Sequence, residues 1–318
     1  MTSVKRLAYK SYAGPRIAGS VPFRLSPTPS HLEKALWLTS SVESGAKFGS
    51  ICMYDGTAMT AGLHQAIAVY PKELVSEDYN AEDDQGSLWK LLRLLETVQN
   101  LPEYNEVSRM LKECGWYLAQ DGVLRYLDDG KSKVGPRTLR YSAGDTVYGA
   151  HIREEFTPKG GAVPSSGKNW LKAKAWALAF HKLFSAEPSF LPQIQFGVDH
   201  ISVLAKTRRL HEASVEAEAY DGRITDFVPS SSAYDLAMSV FWSHSVNAPS
   251  VAFKVLRSSG DVKSPEFPLK LLRFLGTMSY GRWHFTDSGG RYQRTRKWAM
   301  EVWPEDLFLP GGIMPLSF

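Results

Sequence analysis

Two cysteines in 318 residues exclude a disulfide framework, and Cys52 and Cys114 match no zinc or redox spacing. They read as buried thiols of a protein made in a reducing compartment. No stretch approaches the ~20 apolar residues needed to span a bilayer. Residues 1–19 carry Lys5, Arg6, Lys10 and Arg16 but lack the apolar run of a secretory leader. There is no internal repeat and no low-complexity linker. The net charge of +4 is spread along the chain, without the basic-aromatic module that nucleic-acid binding needs, so nucleic acid is not an expected partner. No Gly-x-Ser-x-Gly elbow occurs. Gly160-Gly161 and Ser166-Gly167-Lys168 lack the spacing, and the Ser or Thr after the lysine, of a phosphate loop. His181, His200, His211 and His244 lack metal-ligand spacing and read as surface or satisfied core histidines.

What remains is a globular composition, 43% hydrophobic, with enough length to bury a large core. Nine Trp and fourteen Tyr serve mainly as core, with some available to line a groove where sugar rings would stack.

Residues 1–29 hold Pro15, Pro22, Pro27 and Pro29 with no clear period and read as an irregular arm. Ser30-His31-Leu32-Glu33 is a capping box, in which the Ser30 hydroxyl accepts from the Glu33 amide while Glu33 reaches back. Leu32, Leu36, Thr39 and Val42 then recur at helical spacing. Glu43 follows Leu36 by seven residues and falls on or beside the same inward face. Removal from water favours the protonated form of a carboxyl, the form a general acid needs.

Phe48 to Gln65 breaks the helical period. Ile51, Met53, Thr57 and Thr60, interspersed with Gly49, Gly56 and Gly62, predict short strands joined by a turn at Asp55-Gly56. An acidic loop (Glu77 to Asp84) precedes an apolar helix at Leu88–Leu95. A second helix at about 103–114 ends at Gly115, a natural C-cap. Trp116 to Leu127 reads as a small hairpin around Gln120-Asp121-Gly122. Residues 128–168, rich in Gly, Lys, Ser and Pro, mark 116–168 as the candidate insertion or lobe. A long helix is predicted over 169–186, with Trp170, Ala173, Trp176, Ala177, Phe180 and Phe184 inside. Further helices are expected at 188–209, 231–245, 249–257, 266–278 and 290–302. The expectation is a mainly α, α+β protein, with one domain over 30–318 after the 1–29 arm.

One segment carries chemistry. Glu43-Ser44-Gly45 at a helix end is followed by Tyr54-Asp55-Gly56 and then Thr60-Ala61-Gly62-Leu63-His64-Gln65. Two carboxylates beside a Gly-rich backbone suit glycosidic cleavage, in which one donates a proton to the leaving oxygen and the other activates water or attacks. These residues resemble the lysozyme-like superfamily. Goose-type lysozymes and lytic transglycosylases place a Glu-Ser pair at a helix end, before a Gly-rich stretch closing on Gly-Leu-x-Gln. The Asp-Gly-x-x-x-Thr-Ala-Gly string is similar to the hairpin of chitosanases. The order of Tyr-Asp, Gly-x-x-Gln and a Leu-rich helix resembles phage peptidoglycan hydrolases. The resemblance covers residues 30–98.

It implies Glu43 as general acid and Asp55 as base or water-positioning group. Gln65 and Tyr54 would bind the sugar, and Thr60 would support the hairpin or the water. The implied substrate is peptidoglycan or a related amino-sugar polymer, with no metal or organic cofactor. Phage virion proteins become candidate partners, and delivery to the wall would be through phage lysis or the virion. Two departures mark this chain: Glu43 and Asp55 are closer in sequence than the chitosanase pair, and Ala58 stands where that string has glycine. The resemblance leaves open a one-carboxylate transglycosylase, a non-catalytic virion or wall-binding protein with a degenerate cleft, and a chitosanase-like glycosidase.

Overall fold

The computed structural model describes residues 14–53, 59–68, 86–122, 124–128, 131–134 and 167–207. Tyr54, Asp55, most of the expected lobe after Val134, and the helices expected beyond residue 207 lie outside the described residues. Those described form an α+β arrangement of long helices with small antiparallel sheets. The chain divides into two compact units: Met1–Pro22 with Lys47–Ile194, and Phe23–Ala46 with Gln195–Phe318.

The first unit holds a four-stranded sheet in the order β1 (Arg16–Ile17), β4 (Ile51–Cys52), β5 (Thr60–Ala61), β6 (Ala66–Ile67). Ile51 pairs with Ala61 and Cys52 with Thr60, which bears out the expected short strands on either side of residues 54–58. The N-terminal stretch read as an irregular arm is partly strand. β1 pairs with β4, and β2 (Val21–Pro22) pairs with β3 (Lys47–Phe48). Strands this short are set by the partner backbone, and here no turn signal joins either to its partner.

Helix α2 (Ser87–Glu96) buries Leu88, Trp89, Leu91, Leu92 and Leu95. It is anchored by the Trp89 indole, which donates to the Ala68 carbonyl at 2.8 Å. Gly86 precedes it so closely against the Ile67 carbonyl that a side chain there has no room. Helix α3 (Pro102–Glu113) starts with proline at its first position, where the missing amide costs nothing. It ends before Gly115, whose φ of 83° fits the predicted C-terminal glycine.

Trp116 opens the expected hairpin: β7 (Trp116–Leu118) pairs with β8 (Leu124–Asp128), with Gly122 at φ 78° in the connection. A third strand, β9 (Lys131–Val134), extends it into the stretch read as an insertion or lobe. Helix α4 (Gly167–Ser185) packs against α3 and against β1, β4 and β5. Ala173, Trp176, Ala177, Phe180 and Phe184 are buried as expected. Trp170 is not: it is half-buried, with the Lys174 ammonium 5.2 Å from its ring centre.

A 3-10 turn (Glu187–Ser189) leads into α5 (Phe190–Thr207). Phe190 stacks on Phe48 with ring centres 4.1 Å apart. In the second unit, α1 (His31–Glu43) buries Ala35, Leu36, Thr39 and Ser40. Gly197 of α5 meets Leu36 so closely that an added methyl would lie 2.5 Å from Leu36 Cδ1. Cys52 is buried and Cys114 half-exposed, and neither forms a disulfide.

Candidate functional site

Glu43 is the last residue of α1 and is half-buried. The predicted N-cap stands at the other end of the helix. Ser30 Oγ accepts from the Glu33 amide at 3.1 Å. The reciprocal half of the box is different: the Glu33 carboxylate accepts from the Ser26 amide at 3.0 Å and the Ser26 hydroxyl at 3.2 Å. The helix start is therefore tied to the segment before it rather than closed on itself.

The end that carries Glu43 is held by one carbonyl. Ser40 O accepts from the Ser44 amide (2.8 Å), the Ser44 hydroxyl (3.0 Å) and the Ala46 amide (2.9 Å). Gly45 (φ 70°) and Ala46 (φ 52°) then reverse the chain through left-handed backbone. The Ala46 carbonyl accepts from the Phe23 amide at 2.7 Å. Upstream, Ser40 and Ser41 hydroxyls donate back to the Leu36 and Trp37 carbonyls, at 2.6 and 2.8 Å. Glu43 thus sits where helical backbone stops and a clamped reversal begins.

Thr60 and Gln65 lie in the other unit, and they touch. Thr60 Oγ1 donates to Gln65 Oε1 at 2.8 Å. Gln65 Nε2 donates to the Gly62 carbonyl at 2.9 Å and the Ser50 carbonyl at 3.2 Å. Gln65 itself has φ 51°, a conformation non-glycine residues adopt rarely. Both amide protons of its side chain are used inside the hairpin, which leaves only the second lone pair of Oε1 for a ligand. The turn between them is fixed from a distance: Gln193, 1% exposed, accepts the Leu63 amide at 3.0 Å through Oε1. Its Nε2 donates to the carbonyls of Phe184 (3.0 Å) and Ser189 (3.2 Å) and to Ser189 Oγ (2.9 Å).

Gln193 was not legible as part of this hairpin, because 130 residues separate it from Leu63. Its one sequence signal is a glutamine inside the apolar run Phe190-Leu191-Pro192 to Phe196. His181 is the satisfied histidine that the sequence predicts. Its Nδ1 lies 2.6 Å from the Gly49 carbonyl, and a carbonyl only accepts, so Nδ1 carries the proton. His200 lies edge-on to Phe196, with ring centres 5.9 Å apart.

Of the five predicted site residues, Thr60 and Gln65 are in contact and Glu43 belongs to the other unit. Tyr54 and Asp55 lie outside the described residues. Among the described residues, no group of three or more His, Cys, Asp or Glu is placed to hold a metal ion. No family model, no curated protein and no solved structure matches the chain.

Proposed function

We propose that this chain is a lysozyme-like glycosidase that cleaves the glycan strands of peptidoglycan. The observation that carries the reading is Glu43: a half-buried carboxyl on the last residue of a capped helix, followed at once by a clamped left-handed reversal. The backbone that bears this carboxyl is clamped and the residue is partly withdrawn from water, which suits a side chain positioned to donate to a glycosidic oxygen. Asp55 is the second carboxylate. If it deprotonates water across a gap of about 6.5–9.5 Å, the anomeric centre inverts. If it stays out of the cleft, the substrate's own N-acetyl group takes that role and a 1,6-anhydro end forms.

A second reading has its own support. The side-chain protons of Gln65 are consumed within its hairpin, as expected of a wall-binding or virion protein that keeps the scaffold and has lost the cleft.

Incubation with purified cell-wall sacculi, and separately with chitosan, decides between them. Soluble muropeptides that disappear in Glu43→Gln support the glycosidase. Release from chitosan alone moves the substrate to that polymer. Binding to sacculi without release from either polymer favours the second reading. Mass spectrometry of the products assigns Asp55: reducing ends lost in Asp55→Asn mean hydrolysis, and anhydro ends retained in Asp55→Asn mean transglycosylation.

A further inference from the structure

Helix α4 has two unlike faces. Its inner face buries Ala173, Trp176, Ala177, Phe180, Leu183 and Phe184. Its outer face presents Leu171, 62% exposed, and Leu178, 42% exposed. Seven residues apart, these two leucines lie within about 20° of one another around the helix and ~10 Å apart along it. A large apolar side chain on a surface is ordinary when it stands singly. Here two are aligned, with exposed Ala175 on the same stripe.

The flanks of the stripe carry one sign of charge. Lys168 and Lys172 fall on one side, Lys174 on the other and Lys182 at the C-terminal end, and α4 contains no Asp or Glu. Lys168, Lys174 and Lys182 are exposed. Among the described residues, Glu106 of α3 faces this row, 3.5 Å from the Lys182 ammonium. Lys174 also lies over Trp170, which places a half-buried indole at the N-terminal end of the stripe. An apolar seam between lysines, with Trp at one end, is the pattern of a helix that rests in the headgroup layer of an anionic bilayer. The leucines enter the acyl boundary, and the lysine stems reach outward to the phosphates. No described helix is long and apolar enough to cross a membrane.

We propose that the outer face of α4 docks the protein on an anionic lipid surface. Charge selects lipid phosphate, and the leucine seam selects a bilayer over a soluble polyanion, which offers nothing apolar to bury it. The proposal is independent of the glycosidase reading, since docking needs neither Glu43 nor Asp55.

The test is co-sedimentation of the full chain with vesicles of phosphatidylcholine, with and without roughly one third phosphatidylglycerol. Binding to the anionic vesicles alone, weakened by added salt, is expected. Lys168→Gln and Lys174→Gln should each weaken it about fivefold, and Leu171→Ser with Leu178→Ser about tenfold or more. All four positions are exposed, so the variants should keep the parent's circular dichroism and Tm. Equal binding to neutral vesicles, or no binding to either, overturns the proposal. So does lysine-dependent binding that ignores the leucine changes, which would make the face a general polyanion patch. Indifference to both sets of changes would place any lipid contact elsewhere and also overturn it.

Discussion

Thr60 Oγ1 donates to Gln65 Oε1 at 2.8 Å, and the nitrogen of the same Gln65 side chain donates to the carbonyls of Ser50 and Gly62. The residue that the resemblance implies as a sugar contact and the one it implies as support for the hairpin or the water are thus first of all contacts of one another. Gln65→Leu removes three hydrogen bonds at a part-buried site and should cost about 1–3 kcal/mol. Thr60→Val should cost about 1 kcal/mol. The two losses should be non-additive, because each removes the bond they share. Urea denaturation of the two single variants and the double variant checks this. A Gln65→Leu protein of unchanged stability that releases fewer muropeptides would instead assign the side chain to the substrate.

Gly62 and Gln193 hold that hairpin from its other side. Gly62 has φ 79°, and a methyl added there would lie 2.8 Å from Gln193 Oε1. Gly62→Ala therefore meets both a left-handed backbone, costing roughly 1–2 kcal/mol, and the oxygen that accepts the Leu63 amide. Gln193→Leu leaves the Leu63 amide without its acceptor and removes the Nε2 donor from the Phe184 carbonyl in a buried site, at about 1–3 kcal/mol. In Gly62→Ala/Gln193→Leu the crowded oxygen is gone, so the double variant should be more stable than the sum of the single losses implies. Thermal unfolding of the three proteins measures the coupling.

The elements that could be read from the sequence are those whose signals are local. Ser30 caps α1, Gly115 ends α3, and the buried period from Ala173 to Phe184 marks α4. Trp170 fits that period, yet on a helical wheel it lies about 80° from the centre of the buried face, where half-exposure is ordinary. β1 and β2 escaped because, unlike β4 and β5, they flank no turn signal such as Asp55-Gly56, and their partner strands lie far along the chain. The Gln193 latch escaped because its partners are supplied by the tertiary fold. Glu43 could be placed at a helix end, since the capping and the spacing of Leu36 and Thr39 are local.

The start of α1 makes a prediction about how the Glu43 helix is held. Ser30→Ala removes an N-cap and should cost about 1 kcal/mol. Glu33 accepts from both the amide and the hydroxyl of Ser26. Glu33→Gln keeps a side-chain acceptor but loses the charge, which also favours the first turn of a helix, and should cost about 0.5–1 kcal/mol. Ser26→Ala removes only the hydroxyl donor and should cost less than Glu33→Gln. A Ser26→Ala loss equal to or larger than that of Glu33→Gln would contradict this order. Chemical denaturation followed by circular dichroism at the helix band ranks the three variants.

Tyr104 sets how stability responds to alkali. Burial raises its phenol above the ordinary value near 10, and the Arg93 guanidinium partly opposes that rise. The folded protein therefore keeps this proton at a pH where the unfolded chain has begun to lose it. The stabilisation is fully present below the unfolded pKa and is lost as pH rises through the folded one. Tm measured from about pH 9 upward should fall, and Tyr104→Phe, which has no proton to lose, should fall less steeply over that window. Arg93→Ala removes the opposing charge and should move the Tyr104 phenol still higher. The ultraviolet phenolate signal that wild type has and Tyr104→Phe lacks would then appear at higher pH in the Arg93→Ala background. A signal that moves to lower pH would mean that the guanidinium does not stabilise the phenolate. Equal Tm slopes for wild type and Tyr104→Phe would mean that the phenol titrates alike in the folded and unfolded chains.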